Sequence, residues 1–270
     1  GGFTGTGAGS PITVTGLTNG VSYTFTVTAT NSAGTGAASA ASNSITPASP
    51  QTITFANPGS QTYGTAPNLS TLGGGVSSTS GLAVTFTSST TGVCTITSGG
   101  VLTFVTAGTC TINANQAGDS TFLPAQQVSR SFSVSPVTPG APTMGTATAG
   151  DTQASITFTA PVNNGGATIT GYTVSVFPAD VAPVNGASSP IVVNGLTNGQ
   201  AYTFTVTADN VAGTGPASSA SNSITPKATQ TLTFVNPGPR NFGTTPTFTA
   251  TSDSGLTPTF TSSTPGICTI

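Results

Sequence analysis

The chain has 270 residues, which is enough for two or three domains of ordinary size. Only 3% of its residues are Asp, Glu, Lys or Arg, against about 25% in typical proteins, and the net charge is −2. Because so few charges cannot attract a polyanion, and no stretch is basic and amphipathic, we expect neither nucleic acid nor a membrane surface as a partner. No apolar run approaches the roughly 18 residues of a membrane span, so no membrane insertion is expected in this segment.

Alternation of apolar and polar residues predicts β-strands throughout the chain. In chain order the segments are TITFAN (52–57), VLTFV (101–105), ASITFTA (154–160), GYTVSVF (171–177) and AYTFTVTAD (201–209). In the last of them, one face carries the side chains of Tyr202, Phe204, Val206 and Ala208. Clusters of Gly, Asn, Pro and Ser separate the segments, and no helical period competes. The sequence therefore predicts an all-β chain of tandem antiparallel β-sandwiches.

The chain also repeats itself. GLTNGVSYTFTVTATNSAGTGAASAASNSITP at 16–47 returns nearly unchanged at 195–226, which is 179 residues later (195 − 16). QTITFANPGSQTYGTAP at 51–67 returns with the same offset, whereas TFTSSTTGVCTI at 85–96 returns 174 residues later (259 − 85). The missing residues fall around the loop-rich text STLGGGVSSTSG, where a deletion costs least.

Proline-containing junctions divide each repeat in two. They are ITPASPQT (45–52), VSPVTPGAPT (134–143) and ITPKATQT (224–231). Proline linkers this short act as semi-rigid spacers. We predict modules at 1–47, 48–136, 137–227 and 228–270, arranged as beads on a string. The first is expected to hold only the C-terminal strands of its module, and the last only the N-terminal strands.

Residues 137–226 resemble a fibronectin type III domain. PGAPTMGTATAGDTQASITFTAP is similar to that family's first two strands, although Phe158 stands where a core Trp is usual, and GYTVSV is similar to the third strand. A leucine followed six residues later by a tyrosine matches the tyrosine corner, in which the tyrosine hydroxyl bonds back to the backbone. Two such pairs occur: Leu17 with Tyr23, and Leu196 with Tyr202.

Residues 51–135 resemble a bacterial immunoglobulin-like repeat of large secreted and surface proteins. The matching text is QTITFANPGSQTYGTAP, GLAVTFTSSTTGVCTI, AGTCTINANQAGDSTFLPA and SFSV. Alternation of these two module types implies an extracellular protein, either secreted or on a bacterial cell surface. That location and origin come from the resemblance and not from the periodicity.

Three cysteines raise the question of a disulfide. Cys94 and Cys110 each stand two positions before an Ile, so period two points both thiols into the core, where a bond between neighbouring strands or across sheets is possible. The alternative is two buried free thiols; the oxidising compartment that the resemblance implies favours the disulfide. Cys268 corresponds to Cys94, and its partner is expected beyond Ile270.

No catalysis and no cofactor are expected. His and Glu are absent, Lys227 is the only lysine, and the five Asp residues stand singly, so neither a base nor a carboxylate pair presents itself. No metal is expected either: VNNGG (162–166) and ADN (208–210) are the nearest hints of calcium, but they are typical of turns. Four aromatic residues are interpreted as core rather than as a sugar-binding platform: Phe55, Tyr63, Phe234 and Phe242.

Sandwiches joined by short linkers predict a structural, non-catalytic rod that forms the stalk or body of an extracellular fibre. Each module would bury its own core, and stability would be nearly additive along the array. Two alternatives stay open: adhesin modules that bind a glycan or a host protein directly, and an accessory array of a secreted hydrolase. Besides adjacent repeats of the same chain, copies of the protein are possible partners, because a surface with so few charges repels its copies only weakly.

Overall fold

The structure is a computed structural model that describes residues 2–72, 75–265 and 267–268. These residues contain strands and turns but no helix. Most of the strand pairs are antiparallel; β4 (Gln61–Thr62) and β10 (Val128–Ser135) pair in parallel. The predicted all-β fold of repeated sandwiches is confirmed.

The chain divides into two compact units. The first comprises Gly1–Gly140, Asn163–Ile169 and Asp209–Thr214, and the second comprises Ala141–Val162, Thr170–Ala208 and Gly215–Ile270. Two short loops from the middle of the chain therefore belong with the N-terminal half. The module bounds predicted from the proline junctions are a different division, and they stay a prediction.

The first unit contains a sandwich built from residues 53–135. Its other strands are β3 (Ile53–Phe55), β5 (Val76–Ser78), β6 (Thr85–Ser88), β7 (Cys94–Ile96), β8 (Leu102–Phe104) and β9 (Gly108–Asn115). One sheet has the order β4-β10-β9-β6, and the pairs β3-β5 and β7-β8 lie outside it. N-terminal to the sandwich is a short hairpin of β1 (Thr30–Asn31) and β2 (Gly34–Thr35).

Period two explains the core of this sandwich. In β9, the side chains of Cys110, Ile112 and Ala114 are fully buried, whereas the residues between them are half-buried. Phe132 and Val134 in β10 are buried in the same cluster. Further buried members from the other strands and loops are Ile53, Phe55, Leu69, Phe86, Cys94, Leu102 and Phe104.

Most of a second sandwich lies in the second unit. Its strands are β11 (Thr143–Ala149), β12 (Gln153–Thr159), β13 (Gly171–Phe177), β14 (Val184–Gly186), β15 (Ile191–Asn194), β16 (Thr203–Asn210) and β17 (Gly213–Thr214). They form a three-stranded sheet, β11-β12-β15, and a four-stranded sheet, β14-β13-β16-β17. The tip of the β16–β17 hairpin belongs to the first unit.

The inward face predicted for AYTFTVTAD is buried as expected. Phe204, Val206 and Ala208 have no exposed surface, and Tyr202 is 1% exposed. Phe158, which stands where the resemblance puts a Trp, is also buried and packs against Tyr172 with ring centroids 4.7 Å apart. The smaller ring at position 158 is thus accommodated by a second aromatic side chain.

The second unit ends with a hairpin of β18 (Leu232–Phe234) and β19 (Ala250–Ser252). All three residues of β18 are exposed, whereas in β3, the corresponding strand of the first sandwich, Ile53 and Phe55 are buried. Two strands of nearly the same sequence, ITF and LTF, are therefore found in very different environments.

Candidate functional sites: disulfide, tyrosine corners and joint

The disulfide joins two sheets of the first sandwich. Cys94 in β7 and Cys110 in β9 are both fully buried, and their Cα atoms are 5.7 Å apart across the bond. The hydroxyls of Ser88 and Thr90 each lie 3.5 Å from the Cys94 sulfur. Because the bond closes a loop of 16 residues, it restricts the unfolded chain and stabilises the sandwich by about 3 kcal/mol on the chain-entropy model.

The tyrosine at position 202 has the hydrogen bonds of a tyrosine corner. Its hydroxyl accepts a hydrogen bond from the Thr197 backbone N–H at 3.1 Å and donates one to the Asp180 carboxylate at 2.7 Å. Leu196, the other residue of the motif, is 2% exposed. A buried hydroxyl with both a donor and an acceptor partner carries no desolvation penalty, so the corner fixes the chain where it enters β16.

The corresponding corner near the N-terminus keeps the backbone bond but is less covered. The Tyr23 hydroxyl accepts from the Thr18 N–H at 3.1 Å, as Tyr202 does from Thr197. Tyr23 and Leu17 are only half-buried, and the Tyr23 ring packs edge-on against Phe3 at 5.6 Å. The corner bond is therefore made locally, without a closed sandwich around it.

A cluster of hydrogen bonds within the first unit connects the first sandwich to the two loops from the middle of the chain. We call it the joint and define it as residues 106–107, 137–140, 163–166 and 210. The Gly166 carbonyl accepts from the Ala107 N–H and from the Thr106 hydroxyl, each at 2.8 Å. The Val137 N–H donates to the Gly165 carbonyl at 2.9 Å. The linker after β10 is thus held by backbone bonds and is not a free tether.

Asn210 is the central side chain of the joint. It is 6% exposed, and its amide nitrogen donates to the Val137 and Asn164 carbonyls, each at 2.8 Å. Its amide oxygen accepts from the Ala212 N–H at 2.8 Å. One buried amide therefore ties together the linker, the loop at 163–166 and the tip of the β16–β17 hairpin.

Two glycines make the close approach at the joint possible. Gly165 and Gly166 are buried and have φ of +75° and +79°, values that residues other than glycine rarely adopt. A Cβ at Gly165 would lie 1.9 Å from the Val137 carbonyl oxygen, and a Cβ at Gly166 would lie 2.5 Å from the Tyr63 ring. Any side chain at either position would push the loop off the first sandwich.

A second cluster of bonds, within the second unit, holds the start of the 228–268 segment. The Asp151 carboxylate accepts from the Asn198 side-chain amide at 2.8 Å and from the backbone N–H and hydroxyl of Thr229 at 3.1 Å each. These hydrogen bonds, that of Asn198 above all, hold the pKa of Asp151 below its ordinary value. A carboxylate thus anchors this linker in place of the buried amide used at the joint.

No grouping of residues with catalytic or metal-binding chemistry occurs in residues 2–72, 75–265 and 267–268. They hold no cluster of three or more His, Cys, Asp or Glu side chains that could bind a metal ion. In the segment at 162–166, which the sequence analysis considered for calcium, the asparagine side chains stabilise a turn. The Asn163 and Asn164 side-chain oxygens accept hydrogen bonds from the Gly165 and Gly166 N–H groups at 2.8 and 2.9 Å. These described residues also contain no helix that is long and apolar enough to cross a membrane.

The aromatic residues interpreted as core separate into two groups. Phe55 is buried, and Tyr63 is half-buried beside Gly166. Phe234 is 51% exposed and Phe242 fully exposed, so the core interpretation is wrong for both. The physical reason is that no strands equivalent to β9 and β10 cover residues 230–268 in the described part of the chain.

Sequence reasoning missed several polar side chains that complete the hydrogen bonding. The Ser218 and Ser221 hydroxyls accept from the Val206 and Phe204 N–H groups at 3.0 Å each. The Asn222 amide bonds both the N–H and the carbonyl of Ala147, at 2.9 and 3.0 Å, as a strand would. Of these, only the Ser218 and Ser221 bonds had a signal in the sequence: two serines three residues apart, which bond two alternate residues of one strand.

The joint loops and the corner at Tyr202 fall within one recognisable domain. The family model described as fibronectin type III domain matches residues 138–224. The chain therefore contains a fibronectin type III domain. The buried disulfide and this domain both fit an extracellular protein.

Parts of the chain match solved structures of several proteins. Titin domains A168–A170 are 17% identical over 75% of this chain and 74% of that one, with a TM-score of 0.35. A human fourth FNIII domain is 23% identical over 39% and 88%, with a TM-score of 0.31. The twitchin kinase region of C. elegans is 19% identical over 33% of this chain, with a TM-score of 0.31, and this chain covers 17% of it. The chain covers 18% of a titin kinase structure with flanking domains. No curated protein sequence matches.

Proposed function

We propose that this chain is a structural, non-catalytic stretch of a tandem-repeat rod in an extracellular bacterial protein. In this proposal fibronectin type III domains alternate with bacterial immunoglobulin-like modules, of which the first sandwich is one. The product of the array is length: it holds another part of the protein away from a surface or forms the body of a fibre.

The joint is the observation that carries this proposal. A spacer transmits force and keeps its length only if its linkers do not act as free hinges. Here the linker after β10 is bonded through Val137 and Gly140 to the loop at 163–165, at 2.9 and 2.8 Å. Asn210 adds two further bonds from a buried position. Breaking the Asn210 bonds is costly, because the amide of this buried side chain is then left without its partners.

The linker before the first sandwich supports the same proposal. The Ser49 N–H donates to the Thr121 carbonyl at 2.7 Å, and the Ser49 carbonyl accepts from the Leu123 N–H at 2.8 Å. The side-chain amide of Asn19 bonds the Ser49 hydroxyl. A linker paired with the sandwich it enters has few conformations, which is what a semi-rigid spacer needs.

The proposal is tested by pulling on the protein. A chain attached at both ends in a force spectrometer should unfold in separate steps at its folded domains, with the linkers adding no compliant length before the first step. Asn210→Ala should lengthen the initial soft extension, because the linker after β10 is then freed. An initial extension that Asn210→Ala leaves unchanged would contradict a spacer role for the joint.

Two binding experiments test the competing functions, which are direct adhesion and lateral association between copies of the chain. The chain is applied to a glycan array and sedimented alone at low and high salt. The spacer proposal predicts that no glycan on the array binds through the loops, so that substitutions at 163–166 or 210–214 abolish no specific binding. Specific binding lost on such substitutions would favour adhesin modules. Association that vanishes in modest salt would contradict the view that charge plays little part in contacts between copies.

A further inference from the structure

Asparagine followed by glycine is the dipeptide most prone to lose its side-chain ammonia, and the chain contains five such pairs. The backbone nitrogen of the glycine attacks the side-chain carbonyl carbon of the asparagine, because glycine has no side chain to hinder the approach. The pairs are Asn19-Gly20, Asn164-Gly165, Asn185-Gly186, Asn194-Gly195 and Asn198-Gly199. The first and the last of them end the sequence GLTNG, at equivalent positions of the repeat.

In both copies of GLTNG, the linker that follows the repeated segment holds the attacking nitrogen. The Gly199 N–H donates to the Pro226 carbonyl at 2.9 Å, and the Gly20 N–H donates to the Pro47 carbonyl at 2.8 Å. Both glycines are exposed, so this hydrogen bond and not burial keeps each amide proton in place. A nitrogen whose proton is shared with a carbonyl is not free to turn toward the neighbouring side chain.

The side chain of Asn198 is held as well. Its amide nitrogen donates to the Asp151 carboxylate at 2.8 Å, and its amide oxygen accepts from the Thr152 N–H at 3.1 Å. The Asp151 carboxylate in turn accepts from the N–H and the hydroxyl of Thr229. With both of its polar atoms bonded, the side chain cannot rotate toward the glycine nitrogen. The two reacting groups are thus kept apart while the linker at 226–229 is docked.

The two copies differ in the partner of the asparagine side chain. The Asn19 amide bonds the Ser49 hydroxyl, whereas the Asn198 amide bonds the Asp151 carboxylate. Conversion of either asparagine to aspartate replaces an amide donor by a carboxylate. A serine hydroxyl can rotate and donate to a carboxylate, so the first contact survives the change. Two carboxylates at the second contact repel each other at neutral pH, so that contact is lost.

We propose that Asn198 is a deamidation site guarded by the linker at 226–229, and that its conversion releases this linker permanently. When the linker opens, the Gly199 nitrogen bonds to Cγ of Asn198, the Cγ–Nδ2 bond breaks, and ammonia leaves with the amide proton of the glycine. Water then opens the resulting succinimide at either carbonyl, which gives aspartate or isoaspartate. One water is consumed, one ammonia is released, and nothing is oxidised or reduced.

Release of the linker follows from the charge of the product. Aspartate and isoaspartate at position 198 both carry a carboxylate, which meets Asp151 where the amide donor was. Thr229 then loses the oriented acceptor that held it. All of these contacts lie within the second unit. The site therefore belongs to the domain and its linker, whether or not the array is a rod.

Peptide mapping by mass spectrometry, after long incubation of the full chain at mildly alkaline pH, measures the conversion at each pair. Asn198 should convert at least about tenfold faster in Asp151→Ala than in the unchanged protein, because its side chain and the linker have both lost their anchor. Asn185, an exposed asparagine before glycine in β14, is the internal control and should convert at the same rate in both. Equal rates at Asn198 in the two proteins would overturn the proposal.

A pair of aspartate variants tests the release of the linker separately from the rate of conversion. At neutral pH, Asn198→Asp should raise the exchange of the Gly199 amide about tenfold after correction for its intrinsic rate. Asn19→Asp, the matched change in the other copy, should leave the Gly20 amide protected, because Ser49 can donate to the new carboxylate. A Gly199 amide that stays protected would overturn the proposal. Equal increases in the two variants would do the same, since the charge of the partner would then play no part.

Discussion

Residues 16–47 and residues 195–226 share nearly one sequence and one set of local hydrogen bonds, but they differ in burial. The Phe25 N–H donates to the Ser42 hydroxyl at 3.0 Å, as the Phe204 N–H does to that of Ser221. Val27 is nevertheless 61% exposed, whereas its counterpart Val206 is fully buried. We call 16–47 the open copy and 195–226 the covered copy.

The comparison separates local from tertiary contributions. A strand whose amides are paired with serine hydroxyls and with carbonyls of the next strand can form its hydrogen bonds without a sheet on its other face. Its apolar side chains then stay in water and contribute little to stability. The hydrogen bonds of these segments thus follow from the local sequence, whereas the free energy of unfolding depends on the strands that cover their apolar side chains.

The largest difference between the copies is expected from removing the central aromatic ring. Phe204→Ala in the covered copy should lower the free energy of unfolding by about 3–5 kcal/mol, because the ring is fully buried. Phe25→Ala in the open copy should cost much less, since Phe25 is only half-buried. Denaturant unfolding followed by hydrogen exchange at each copy measures both. Equal costs would mean that the open copy is also closed by a sheet.

The disulfide allows the same comparison between the other repeated segments, one with Cys94 and one with Cys268. Cys94→Ala with Cys110→Ala should destabilise the first sandwich by about 3 kcal/mol on the chain-entropy model. Cys268→Ala, the matched change in the 228–268 segment, should leave the unfolding midpoint unchanged, because Cys268 is a free thiol. Thermal unfolding of the two variants compares them. A first sandwich as stable without its disulfide would show that its core alone determines its stability.

The joint distinguishes two asparagines at equivalent positions. Asn210→Ala should cost about 1–3 kcal/mol, because it removes two hydrogen bonds, to the Val137 and Asn164 carbonyls, that each contribute about 0.5–1.5 kcal/mol. Asn31→Ala should cost a few tenths of a kcal/mol, since Asn31 is exposed and only caps its own turn at Ala33. Exchange of the Val137 amide measures the joint directly. Similar effects of the two changes would remove the distinction.

The tyrosine corners provide a smaller test. Tyr202→Phe removes a hydroxyl that bonds Thr197 and Asp180, and it should cost about 1 kcal/mol. Tyr23→Phe removes only the bond to Thr18 in a half-buried position, so its effect should be smaller. Denaturation of both variants measures the difference. A larger effect at Tyr23 would mean that the open copy depends on its corner more than the covered copy does.

The smallest expected effect is a pH dependence at the second linker. Hydrogen bonds from Asn198 and Thr229 lower the pKa of Asp151, so the anchor contributes above the ordinary carboxyl pKa and is lost as pH falls through the lowered pKa. Exchange of the Thr229 amide, corrected for its intrinsic pH dependence, should rise below about pH 4. In Asp151→Asn this rise should disappear. A rise of equal size in that variant would assign the effect to other carboxylates.

The strands and their faces could be predicted from the sequence because side chains alternate strictly along a strand. Ile112 and Phe204 are buried for that reason, and Cys94 and Cys110 point into one core. The joint could not be predicted, because Asn210 and Gly165 carry the signature of an ordinary turn, and only the folded chain brings them to Val137. Phe242 could not be placed either, since its exposure depends on strands that are distant in sequence.

The most direct measurement for the central claim is amide hydrogen exchange of the full chain at the joint. If the joint holds the linker after β10, the Val137 and Gly140 amides, which donate to the Gly165 and Asn163 carbonyls, should be protected. In Asn210→Ala their exchange should become about tenfold faster, whereas the amides of β9 and β10 should keep their protection. Unprotected Val137 and Gly140 amides in the unchanged protein would contradict the account, because the linker at 137–140 would then be a free hinge.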